Sequence, residues 1–146
     1  MKTILTSIVL LASINLFALE APRINSVTTA DGQVYSMEKL HYGISNFLVG
    51  TTFQGEKVSF KHNEITRFYK NGVLYEKINT NKIETCKNGM FLPVAKRKHD
   101  VVAYKQDVMN ARGQIKTILH VFVNGKYALS SNDQNMEQIE SFFACK

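Results

Sequence analysis

The sequence predicts a mainly antiparallel all-β domain, a hairpin meander forming a small barrel or sandwich, with one α-helix at its C-terminus. Three observations carry this expectation. Polar or turn-prone residues precede glycine at Asp31-Gly32, Gln54-Gly55, Asn71-Gly72, Asn88-Gly89, Arg112-Gly113 and Asn124-Gly125; Asn-Gly and Asp-Gly suit two-residue hairpin turns, whose central positions need positive φ. Between these glycines lie short runs rich in Val, Ile, Thr, Phe and Tyr, the residue types that fit a pleated, half-buried surface. Only beyond residue 130 does the apolar spacing change to the three-and-four pattern of a helix.

Residues 1–18 read as a cleaved secretory signal peptide. Lys2 gives a positive start, and residues 4–17 are apolar apart from Thr6, Ser7, Ser13 and Asn15. The stretch is too short for a membrane span and ends near the small residues Ala18 and Ala21. Cleavage after Ala18 is preferred, because a cut after Ala21 places Pro22 directly behind the scissile bond. Residues 19–146 then form the mature chain, a length that suits one β-rich domain and is short for two.

Within it, strands are expected at 27–29, 34–36, 47–53 and 57–62, while 37–44 fits either a short helix or an irregular strand. The clearest hairpin joins 65–69 to 73–78 through Asn71-Gly72, with Arg67, Glu76 and Lys77 interleaved among apolar positions. Strands at 82–86 and 91–95 follow. The next hairpin pairs 101–109 with 114–123. In its first strand Val102, Tyr104 and Val108 share one face and Lys105 and Asp107 the other. From Ile118 to Val123 the second strand is apolar on both faces except for His120, which marks a central strand covered on both sides. After a strand at 126–129, Ser131-Asn132-Asp133-Gln134 has the Ser-x-x-Gln form of a capping box. Met136, Ile139, Phe142 and Phe143 then recur at helical spacing.

Export and composition bound the function. No cysteine follows the leader to accept a lipid anchor, and no second apolar run has the length of a membrane span. Without Lys2 the mature chain carries seventeen basic and twelve acidic residues, a formal balance of +5. These charges are scattered rather than interleaved with aromatics on one stripe, which argues against a nucleic-acid partner. Cys86 and Cys145 are the two cysteines of a chain bound for an oxidising compartment and are expected to form a disulfide that pins the C-terminal helix to the sheet. No asparagine sits in an Asn-x-Ser/Thr acceptor, which leans toward a bacterial source.

Two places stand out as candidate sites. Lys96, Arg97, Lys98 and His99, followed by Asp100, form a segment without apolar residues, a candidate loop for a phosphate, an acidic glycan or an acidic protein patch. Against this stands the plainer reading of a solvated connection. His120 interrupts an apolar strand and so is either hydrogen-bonded inside or directed into a cavity. The other histidines, His41, His62 and His99, have no second ligand at metal-binding spacing, and no nucleophile elbow or glycine-rich phosphate loop occurs. Neither metal, cofactor nor catalytic residues are nominated. The expectation is an exported, secreted or periplasmic, non-enzymatic binding domain, associated with a bacterial envelope. Its partner is a protein or an anionic envelope component. Alternatives are a carrier of a small apolar ligand inside a β-barrel around His120, and an unrecognised hydrolase.

Overall fold

The computed structural model describes residues 24–42, 47–132 and 134–144. The expected signal peptide and Cys145 lie outside these described residues. Eleven strands and one helix follow in order: β1 (Ser26–Thr29), β2 (Val34–Ser36), β3 (Lys39–Tyr42), β4 (Phe47–Thr51), β5 (Lys57–Lys61), a single 3-10 turn (His62–Glu64), β6 (Ile65–Lys70), β7 (Val73–Ile78), β8 (Met90–Lys98), β9 (Val101–Met109), β10 (Ile115–Val123), β11 (Lys126–Ser130) and α1 (Met136–Phe143). Strands β6 to β11 form a consecutive antiparallel meander, to which the β1–β2 hairpin adds through β1 against β6. Strands β3, β4 and β5 make a second, smaller antiparallel sheet. The large sheet ends in β11 on one side and β2 on the other, so it is open rather than closed into a barrel.

Strand register decides which residues share a face. Val27 stands opposite both Tyr35 and Phe68, Phe68 opposite Tyr75, and Tyr75 opposite Pro93. On this face Val27, Phe68 and Phe91 pack with Met37 and with Leu40, Leu48 and Phe60 of the small sheet. The two sheets therefore form a sandwich over the β1, β6, β7 and β8 region. Further along the same face, past a register shift between Val94 and Lys96, Ala103 and Val121 receive Ile139 and Phe143 of α1. The opposite face carries Ile78, Leu92, Val102, Tyr104 and Phe122, closed over by Ile83 and Cys86 from the connection between β7 and β8. The second half of β10 is covered on both sides, with Val121 under the helix and His120 and Phe122 under that connection, while Ile115 to Thr117 stay exposed.

Two expected elements differ. Residues 82–86 are not a strand but a turn-rich segment, with the Cys86 amide donating to the Ile83 carbonyl at 3.1 Å. Its buried residues Ile83 and Cys86 lie three apart, a spacing that a turn can point inward and a pleated strand cannot. The helix also begins later than the capping box predicts, with Asn135 as N-cap. Ser131 is unavailable as a cap because it prolongs the sheet. Its amide donates to the Leu119 carbonyl at 2.7 Å, and its hydroxyl accepts the Leu119 amide at 2.8 Å. The entry to the helix is shaped instead by Asn132 and Asn135, whose side-chain oxygens accept the Gln134 and Asn132 amides. The ambiguous stretch 37–44 contributes β3, whose single buried residue, Leu40, joins the inter-sheet core.

Candidate functional site

The basic segment is not a loop. Lys96, Arg97 and Lys98 are the last residues of β8, so their side chains alternate between faces, and only His99 and Asp100 form the turn into β9. Each cation has an internal task. The Lys96 ammonium lies 4.9 Å above the Phe143 ring. Arg97 pairs with the Glu76 carboxylate, which also accepts the Tyr104 hydroxyl at 2.8 Å. Lys98 donates to the Phe143 and Ala144 carbonyls at the end of α1, where a positive charge complements the helix dipole. His99 holds the turn with φ of 49°. The charges that are adjacent in sequence thus diverge in space.

His120 is 1 % exposed, and both its ring nitrogens are engaged. The Gln106 side-chain nitrogen donates to the Thr85 carbonyl at 3.0 Å, which turns the Gln106 oxygen toward the imidazole. That oxygen accepts from His120 Nε2 at 2.8 Å and from the Thr85 hydroxyl at 2.9 Å. The proton therefore sits on Nε2, and Nδ1 accepts from the Ser130 hydroxyl at 2.7 Å. Ser130 in turn accepts from Tyr127 at 2.8 Å. The network is complete, and among the described residues no buried side-chain nitrogen or oxygen lacks a partner. Burial holds the His120 pKa below the ordinary imidazole value. Cys86 Sγ lies 4.0 Å from Nε2, and burial pushes its thiol pKa up, the reverse of what an activated nucleophile needs. His120 thus joins β9, β10, β11 and the connection before β8 rather than facing a ligand.

Cys86 belongs to the face of Tyr104 and Phe122, whereas α1 packs on the face of Ala103 and Val121. The helix is held by Ile139, Phe143 and Lys98.

A different place brings functional groups together. Where the small sheet ends over the large one, Tyr42 of β3, His62 of the 3-10 turn, Tyr75 of β7, Phe91 and Pro93 of β8, and Lys105 and Asp107 of β9 line an open groove of about 310 Å³. Its bed is aromatic. Phe68 stacks under Tyr75 at 4.7 Å and 7°, and it meets Tyr42 edge-on at 5.5 Å. The His62 ring stands edge-on to Phe91 at 4.7 Å, and Lys77 fixes this corner by donating to the His62 carbonyl at 3.0 Å. Burial, then the nearby Lys77 charge, holds the His62 pKa down. Burial raises that of Tyr42, with a further push from Tyr75, so both stay neutral near pH 7. At the other end the Asp107 carboxylate accepts from Thr117 at 2.6 Å and pairs with Lys105 at 3.3 Å, which keeps its pKa low.

The arrangement offers a stacking surface flanked by a neutral imidazole, phenol hydroxyls and one ion pair. No protein-family model matches the chain, no curated protein matches it, and no solved structure matches it. Among the described residues no group of three or more His, Cys, Asp or Glu is placed to hold a metal ion, and no helix is long and apolar enough to cross a membrane. Sequence reasoning missed the groove. The abundance of Phe and Tyr was its only trace, and the topology alone places Tyr42 beside Tyr75.

Proposed function

We propose that this chain is an exported, non-enzymatic binding domain that engages its partner through the aromatic groove rather than through the basic end of β8. The observation that supports the reading is the convergence of Tyr42, His62, Tyr75 and the β8 pair Phe91 and Pro93 from four elements, with Tyr42 47 % exposed over a packed aromatic bed. Exposed rings on a rigid base supply contact area at small entropic cost, the property that enriches tyrosine at recognition surfaces. The polar groups at the rim are not coupled as acid and base: His62 faces Phe91, while Asp107 is tied to Thr117 and Lys105. An enclosed apolar carrier site is less well supported, because the hollow is open and carries charge at one end.

Two measurements test the proposal. Intact mass of protein secreted by its native host is expected to show a chain beginning after residue 18. Amide chemical shifts of the mature protein, titrated with fractions of native envelope extract, are expected to move around Tyr42, Tyr75 and Pro93 and to stay still in Tyr42→Ala. Shifts confined to residues 96–100, or equal shifts in the variant, would refute the groove as the site.

A further inference from the structure

We propose that Asn124 is a site of spontaneous covalent modification, at which the Gly125 amide closes onto the Asn124 side chain and the chain reopens as aspartate or isoaspartate. Four Asx-Gly pairs occur in the described residues: Asp31-Gly32, Asn71-Gly72, Asn88-Gly89 and Asn124-Gly125. The attacking group in this chemistry is the backbone nitrogen of the glycine, so its hydrogen bonding governs its readiness. Three of the four amides are occupied. Gly32 donates to the Thr29 carbonyl at 3.0 Å, Gly72 to Ile24 at 2.8 Å and Gly89 to Ile78 at 2.7 Å. The Gly125 amide has no acceptor among the described residues.

Asn71-Gly72 is a built-in control. Its φ angles of 51° and 79° are close to the 49° and 72° of Asn124-Gly125, and both pairs are exposed two-residue hairpin turns. They differ in the bond from Gly72 to Ile24. At Asn124 the Gly125 nitrogen gives its proton to hydroxide and attacks the side-chain carbonyl carbon. A carbon–nitrogen bond forms, and the side-chain nitrogen leaves as ammonia. Water then opens the cyclic imide at either carbonyl. The net change is amide plus water to carboxylic acid plus ammonia, with no oxidant or other co-reactant.

The position gives the change a structural consequence. The Asn124 amide donates to the Asp100 carbonyl at 2.9 Å, and Lys98, His99, Asp100, Ser141 and Ala144 share with it one hollow beside the end of α1. Aspartate places a second carboxylate next to Asp100. Isoaspartate adds a backbone carbon to a turn that pairs Val123 with Lys126, which loosens edge strand β11 and its Tyr127 to Ser130 to His120 chain.

The mature protein is incubated folded, and in parallel in concentrated urea, in mildly alkaline buffer, then digested with trypsin. The three Asn-Gly pairs fall on separate peptides, 71–77, 88–96 and 117–126. In the folded protein, peptide 117–126 is expected to gain one mass unit and an isoaspartate isomer about fivefold faster than either other peptide, the ratio of one net amide hydrogen bond. In urea the three rates converge. Asn124→Gln abolishes the folded-state signal in that peptide. Equal rates in the folded protein, or faster change in 71–77 or 88–96, would overturn the proposal.

Discussion

Removing the His120 imidazole tests the buried network most directly, because its effect depends on pH in a way that packing alone does not. His120→Leu keeps comparable bulk and leaves the Gln106 oxygen with its Thr85 donor, but it strips the Ser130 hydroxyl of its acceptor. Each of the two imidazole hydrogen bonds lost contributes about 0.5–1.5 kcal/mol net, so at pH 8 the variant is expected to be less stable by about 1–3 kcal/mol and to unfold at lower urea. In the folded wild type, burial holds the His120 pKa below the ordinary imidazole value of 6.5. The unfolded chain therefore takes up the proton first as pH falls. Stability from the neutral ring is fully present above about pH 6.5 and drains away toward the lower folded-state pKa, at no more than about 1.4 kcal/mol per pH unit.

His120→Leu lacks this loss, so the wild-type advantage is expected to shrink between pH 7 and pH 5. His62, whose pKa is also lowered, and the carboxylates titrate in both proteins and cancel from the difference. Urea unfolding followed by tyrosine fluorescence and far-ultraviolet circular dichroism supplies the free energies. A stability gap that is constant from pH 8 to pH 5 would refute the assignment of a neutral, buried, fully bonded His120.

Other outcomes follow from single contacts. Gly50→Ala brings a Cβ to 2.7 Å from Met37 Sδ in the inter-sheet core and is expected to cost about 1–3 kcal/mol, part of it recovered by adding Met37→Ala; additive losses in the thermal midpoint would count against this packing. Lys98→Ala removes the donor to the last carbonyls of α1 and is expected to lower stability by about 0.3–1 kcal/mol, with faster amide exchange confined to α1. Unchanged exchange would show the cap to be idle. Cys86 is a buried free thiol among the described residues, so it is expected to alkylate in unfolded, unreduced protein. Protection without reductant would show it bridged.

The local chemistry of the chain determined most of its strands and turns. Val102, Tyr104 and Val108 alternate with Lys105 and Asp107, which places the strand and names its faces, because pleating has a period of two whatever the surroundings. Asn71-Gly72 and Asn124-Gly125 specify two-residue hairpins through their positive φ. The helix was legible in its apolar spacing. Its start was not, because Ser131 faces a choice between capping and pairing with Leu119 that only the neighbouring strand resolves.

Decisions between distant segments belonged to the tertiary structure. Whether the meander closes, which face the helix covers, and where Cys86 lies relative to it depend on the order of strands in space, on which local periodicity is silent. The same holds for function. Lys96, Arg97 and Lys98 are neighbours in the chain yet serve Phe143, Glu76 and the helix end separately. Tyr42, His62, Tyr75 and Pro93, far apart in the chain, share one groove because two sheets stack there.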